Sequence, residues 1–403
     1  MNNDLPVLHE RTWWRLLGRR AWQRVRPSAP ASPTRSEPIR LGIIGVGNVA
    51  QWQHLPWLRK SPALFRVSAV FDAHQARAND IASEFGARVT ASTADLVNDP
   101  RVDAVLICTP PEFHASMAAA ALTARKHVLC EKPLAQTIDE ADLLWKCARR
   151  AHGLVAMVNF TLRCRPEFQL AAEIIRQGVL GEIYQVWGSI SQGKWFTASG
   201  RPSGERADAT PWKYDRGGVL LDLAPHLIDL VRWWLGDIRA VQAWTKRLRG
   251  KDEPTVAACG VNLAMQSGAM VQLLCSRLAT GAKEQTLLEM NGAQGSLRFT
   301  ARGLELWTRD TSRWRSLMVP SGTAQPLELF ARTICRLPAD IPTFWDGYKA
   351  NEALAAIEQS AETGAQIVLP FGVTAPQARE RDVSMQTGAG DAEFDVPALA
   401  RKA

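Results

Sequence analysis

Between residues 40 and 160, short apolar runs alternate with stretches whose apolar side chains recur at helical spacing. The runs at 40–45, 66–71, 103–108, 127–130 and 154–158 predict strands, and helices are predicted near 48–59, 75–85, 113–124 and 137–151. Strands separated by helices of this length imply βαβ units and a parallel sheet. Right-handed crossovers make such a sheet doubly wound, with a ligand crevice at the strand C-termini. After residue 180 the pattern becomes longer and alternating, at 183–191, 240–248, 256–265 and 269–278. With no helices between most of these runs, a largely antiparallel sheet open on one face is expected. Helical spacing returns from Asn351 to Gly364.

Composition sharpens the boundaries. With 403 residues, two domains plus tails are the default. Residues 27–39, PSAPASPTRSEPI, read as a linker. The expected organisation is a basic segment and linker over 1–39, a dinucleotide-binding domain over 40–160, a substrate and oligomerisation domain over 161–371 and a polar tail over 372–403. The fold class is α/β. Of the formal charge of +8, residues 1–40 carry +5, since eight Arg face only Asp4, Glu10 and Glu37. The folded body therefore holds too little surplus charge for a nucleic-acid groove. Seven scattered cysteines without a C-x-x-C pair suggest reduced thiols, a cytoplasmic location and no metal. No apolar run is long enough to span a bilayer.

Four motifs carry chemistry. In IGVGNVA, Gly45 permits a tight turn, Gly47 lets the backbone approach a pyrophosphate, and Ala50 lets the next helix sit on the sheet. The helix start at Asn48 and Val49 would then face the phosphates. A purely structural glycine turn is the alternative. Asp72 ends the next strand, where a carboxylate accepts hydrogen bonds from ribose hydroxyls. That favours NAD, Arg77 nearby keeps NADP open, and a helix cap is the plainer role. CTPPEFHA, at 108–115, brings Thr109 and Pro110 to the nicotinamide side, with His114 capping or packing there. CEKP places Glu131 and Lys132 at the next strand end, where a partly desolvated lysine can relay protons. Lastly, Asp222 and His226 stand one helical turn apart in RGGVLLDLAPHLIDLVRWWLG, and Pro225 fits a helix beginning near Asp222. Taken alone, this pair reads first as a cap and a packed histidine.

Taken in order, these residues resemble the glucose-fructose oxidoreductase and inositol dehydrogenase family over residues 40–370. Glu131-Lys132-Pro133, NFTLRCRP at 159–166, Gly181-Glu182-Ile183, NGAQGSL at 291–297 and AIEQSAETG at 356–364 support the likeness. The resemblance implies a Rossmann domain followed by an α/β domain whose open sheet makes a homo-oligomer interface. It also implies that Lys132, Asp222 and His226 match the family's catalytic lysine, aspartate and histidine. Two departures bear on substrate identity: Arg216 stands for a glycine, and Thr161 for an asparagine, before Arg163.

The expected function is hydride transfer to or from a secondary alcohol or ketone of a sugar, polyol or cyclitol. His226 would move the hydroxyl proton, Lys132 would stabilise the oxygen, and Asp222 would position the polyol and His226. Thr161 and Arg163 border the expected pocket, and Trp195 and Trp212 sit in a loop suited to a sugar-binding lid, with core packing or simple surface exposure an equal alternative for either tryptophan. A non-catalytic cofactor-binding regulator or scaffold, and a reductase of a non-sugar carbonyl or imine, are the competing readings. Residues 10–26 form an amphipathic basic pattern suited to a membrane surface or protein partner, and a mobile tail or a helix packed in an oligomer is the alternative.

Overall fold

The computed structural model describes residues 37–193, 217–249, 254–281, 284–319 and 324–370. The apolar runs of the first part become β1 (Ile39–Ile44), β2 (Phe65–Phe71), β4 (Ala104–Ile107), β5 (His127–Cys130) and β6 (Ala156–Val158). A two-residue edge strand, β3 (Arg88–Val89), is too short to leave a periodic signal. The sheet order is β3-β2-β1-β4-β5-β6, every pair parallel. Helices cover both faces, so central strands such as β4 are buried at every position. Local chemistry starts these helices where expected. Ser92 accepts from the Asp95 N–H, and Thr137 with Glu140 forms a capping box before Ile138–Arg150.

The second sheet has nine strands: β7 (Ile183–Ser191), β8 (Ile238–Arg249), β9 (Pro254–Met265), β10 (Met270–Ser276), β11 (Gln285–Gly292), β12 (Gly295–Thr300), β13 (Gly303–Thr308), β14 (Trp314–Ser316) and β15 (Ile367–Val368). Their order is β14-β13-β12-β11-β7-β10-β9-β8-β15. Only β7 and β10 run parallel. After β7 the chain crosses through the helices Gly218–Asp222 and Ala224–Leu235 to β8, then meanders back to reach β7 from the far side. Helices cover one face, and Trp187, Trp244, Met270 and Leu274 remain exposed on the other.

The chain does not remain in the second domain after residue 161. The Pro326–Ile334 helix inserts Leu327 and Phe330 into the core that holds Leu41, Phe65 and Leu106 of the first sheet. The Val158 N–H donates to the Pro342 carbonyl at 2.9 Å. The long helix Phe344–Thr363 then packs on both Ile138–Arg150 and β8, joining the two sheets. A linear boundary missed this return because apolar helix positions do not reveal which core they fill.

Candidate active site

The crevice opens where the strand order reverses, between β1 and β4, at their C-terminal ends. Gly45 leaves β1 with φ +84°, and a Cβ there would stand 2.9 Å from the Cys108 carbonyl carbon and 3.0 Å from Thr109 Cγ2. Only glycine allows this turn to lie against the loop after β4. At Gly47 a Cβ would meet nothing nearer than Arg77 Nη1 at 3.8 Å. The turn is thus an open cradle where protein atoms leave room for phosphates. Helical backbone begins at residue 48, with Asn48 exposed and Val49 half-buried at the mouth. The amides of that first turn suit an anionic pyrophosphate.

Asp72 proves to be part of the cradle itself. Its Oδ2 accepts the Val46 N–H at 2.8 Å, its Oδ1 accepts the His74 N–H at 2.8 Å, and Arg77 lies 3.3 Å from the same oxygen. The carboxylate therefore ties the glycine turn to the end of β2 while keeping lone pairs for a ribose hydroxyl.

The helix that follows has a π turn at Ala50–His54, closed by the Leu55 N–H on the Ala50 carbonyl. Widening the helix here turns His54 inward, where it is 2% exposed. His54 Nε2 lies 2.8 Å from Glu131 Oε1, and Asn159 Nδ2 donates to the same oxygen at 2.6 Å. Burial pushes the Glu131 carboxyl up, but the His54 and Asn159 bonds and the Lys132 charge hold it below its usual value. Cys108 completes this buried group, its thiol pushed up by desolvation and so kept protonated. Sequence reasoning missed His54 and Asn159, because nothing in a helical pattern announces a π turn.

Thr109 and Pro110 are half-buried on the loop after β4. His114, anticipated among the cofactor contacts, is instead fully buried beneath them. Its Nδ1 lies 2.7 Å from the Pro133 carbonyl and its Nε2 2.9 Å from the Thr109 carbonyl. Burial lowers its pKa while the two carbonyl contacts raise it, and the ring spans the two crevice loops.

Lys132 follows β5 and Asp222 belongs to the second domain, yet Lys132 Nζ donates to Asp222 Oδ1 at 2.8 Å and to its carbonyl at 2.6 Å. Arg277, after β10, donates to Asp222 Oδ2. The close approach of this segment to β9 depends on Gly218, where a Cβ would lie 2.1 Å from the Val256 carbonyl oxygen. Asp222 ends one short helix and His226 lies in the first turn of the next, which starts at Ala224 rather than near Asp222. Their spacing of four thus spans a helix junction, and His226 is half-buried.

The two pocket candidates after β6 separate. Thr161 is half-buried in a 3-10 turn, whereas Arg163 is 3% exposed and spends its guanidinium on Asp229 and Asp346. Arg163 is a strut joining three segments, not a residue that lines a pocket. Trp195, Trp212 and Arg216 lie outside the described residues, as do the segment 10–26 and the tail 372–403. Among the described residues no helix is long and apolar enough to cross a membrane.

A six-stranded parallel sheet with a glycine cradle at its switch point is the architecture of the dinucleotide-binding class. Residues 39–160 match an oxidoreductase family with an NAD-binding Rossmann fold, and residues 168–298 match the GFO/IDH/MocA C-terminal domain. The chain belongs to this family of NAD-dependent dehydrogenases. The dTDP-3,4-didehydro-2,6-dideoxy-alpha-D-glucose 3-reductase of Actinomadura kijaniata is 32% identical over 246 residues, 60% of this chain and 69% of that protein. D-glucoside 3-dehydrogenase of Escherichia coli is 26% identical over 369 residues, 84% of this chain and 99% of that protein. A solved levoglucosan dehydrogenase in complex with NADH and levoglucosan shares the fold, with a TM-score of 0.74 at 24% identity over 83% of this chain and 100% of that one.

Proposed function

We propose that the protein transfers hydride between a nicotinamide and a secondary alcohol or ketone carbon of a sugar, polyol or cyclitol. One observation carries the reading: Lys132 at the Rossmann strand end meets Asp222 of the second domain, with His226 four residues further on in the next helix. The nicotinamide, when bound, supplies the hydride acceptor or donor. The remaining work falls to the chain. The turn at Gly45 and Gly47 and the amides of Asn48 and Val49 hold the phosphates, Asp72 a ribose hydroxyl, and Thr109 and Pro110 the ring side of the crevice. His226 takes the hydroxyl proton during oxidation and returns it during reduction. Lys132 donates to the reacting oxygen as charge grows on it, and Asp222 orients the ammonium. Glu131, held by His54 and Asn159, adds a fixed negative charge behind that lysine.

The carbohydrate class is supported by the relatives, whose names specify a nucleotide-linked deoxysugar, a glucoside and levoglucosan. NADH formation on a panel of sugars, cyclitols and non-sugar carbonyl compounds tests it. Turnover confined to the non-sugar compounds would redirect the reading, and tight NADH binding with no turnover at all would favour a regulator or scaffold. The exposed sheet face carrying Trp187, Trp244, Met270 and Leu274 supports a second copy of the chain as the partner there.

A further inference from the structure

We infer that Arg277 is a positioning residue of the reaction: it is the standing counter-ion of Asp222, which frees that carboxylate to yield Lys132 to the substrate oxygen. This rests on the roles of Lys132 and Asp222 given above. The strand register explains how the guanidinium gets there. Along β10 the residues Val271, Leu273 and Cys275 point inward and are buried, while Met270 and Leu274 point out and are exposed. The alternation stops at Ser276, which is buried as well, and Arg277 follows the strand end and is 2% exposed. Its N–H donates to the Ala257 carbonyl at 2.9 Å, and the preceding Ser276 carbonyl accepts from Gln192 at 2.7 Å, so the backbone cannot turn the side chain out.

A buried position just past the end of this strand is a costly place for a cation, and an aliphatic residue would pack there without that cost. Asp222 supplies the compensation. One of its oxygens accepts from Arg277 and the other from Lys132 at 2.8 Å. Each cation thus holds its own oxygen of a carboxylate that is itself 7% exposed. To serve a developing oxyanion, the Lys132 ammonium must give up part of its bond to Asp222. Without Arg277, that move would take from the buried carboxylate the charge of both cations that hold it here, which is unfavourable. With Arg277 on the second oxygen, Asp222 stays paired throughout. Arg277 therefore acts through Asp222 and needs no contact with substrate or cofactor.

The full-length protein, with NADH affinity followed by fluorescence, provides the test. Arg277→Met should lower kcat by about tenfold with NADH affinity unchanged, whereas Arg277→Lys should keep kcat within about threefold. In the Asp222→Asn background, Arg277→Met should change kcat by less than about twofold, because the charge it balances is gone. Equal losses in both backgrounds, following the melting temperature, would overturn the inference. A second readout needs no turnover: reductive methylation of Lys132 by formaldehyde and borohydride at one pH, read by mass spectrometry. Labelling should slow about threefold or more in Arg277→Met, and in Asp222→Asn the same change should have no effect. An unchanged labelling rate in Arg277→Met also overturns it, even if the variant is less stable. Full turnover by Lys132→Met would instead remove the active-site reading, leaving the labelling result to judge the coupling separately.

Discussion

Lys132 and Asp222 are 90 residues apart in the chain, and the ammonium of one lies 2.8 Å from the carboxylate of the other. One is set by the end of a parallel strand and the other by a helix seated on the opposite sheet. Substitutions here should therefore report on chemistry before they report on folding. His226→Ala is expected to lose on the order of 10²–10⁴-fold in kcat, with NADH affinity little changed. Lys132→Met should behave similarly, and the double variant should lose less than the product of the two, since both act on one oxygen. Steady-state kinetics with a responsive substrate check this, and near-normal turnover in a folded double variant would dismiss the assignment.

Asp72 has two tasks that one substitution separates. Asp72→Ser removes the acceptor of the Val46 and His74 amides, so it should cost about 1–3 kcal/mol of stability as well as weaken NAD binding. Because Arg77 lies 3.3 Å from that carboxylate, loss of Asp72 should also release a cation toward a 2′-phosphate. Titration with NAD and NADP should show their affinities converging. A preference for NAD that survives intact would place the discrimination elsewhere.

His54→Ala leaves Glu131 buried with one of its two side-chain donors gone. The expected cost is about 1.5–3 kcal/mol in urea unfolding, the range for a hydrogen bond to a charged group. His54→Ala combined with Glu131→Gln should recover part of it, because the uncompensated charge is removed too. A simple sum of two losses would argue against a coupled pair.

Asp99 predicts an acid limb to stability. The Arg101 guanidinium, helped by the Arg101 N–H and by Arg88, holds its carboxyl well below the ordinary value of 3.8 although burial opposes this. A carboxyl depressed by folding stabilises the protein above the unfolded value, and that contribution disappears as pH falls through the folded one. Asp99→Asn should thus be less stable than the parent at neutral pH, with the gap narrowing below about pH 4. Thermal melts across that range decide it, and a constant gap would point to packing rather than charge.

The outer face of the second sheet should be an interface. Leu274 and Trp244 flank Gly260 in adjacent strands, and Trp187 lies beside Gln272 in the next register row. Placing a glutamate at both Trp187 and Trp244 should shift the protein toward monomer in light scattering, without abolishing NADH binding. An unaltered mass would assign the oligomer, or the exposed face, to something else.

Periodicity and turn chemistry acted through neighbours in sequence, and there the reading was close. The parallel strands, the Gly45 turn, the alternating strands from 183 to 278 and the nucleotide-binding edge all follow from side-chain spacing and from what glycine permits. The resemblance grouped Lys132, Asp222 and His226, but the side-chain pattern by itself did not show that Lys132 and Asp222 touch. Their meeting depends on how two sheets pack, and no local pattern encodes a separation of 90 residues. The same holds for the π turn that buries His54, and for the Pro326–Ile334 helix that returns to the first core. Asp72 and Arg163 gained partners that only the tertiary structure supplies: a backbone amide 26 residues away, and carboxylates 66 and 183 residues away. Arg277 belongs with these residues. It follows the alternating run of Val271, Leu273 and Cys275, but Ser276 is buried too and ends that alternation, so the pattern alone did not announce a buried charge. Nor could the sequence show its partner, because pairing a buried charge is decided by the layer packed above the strand.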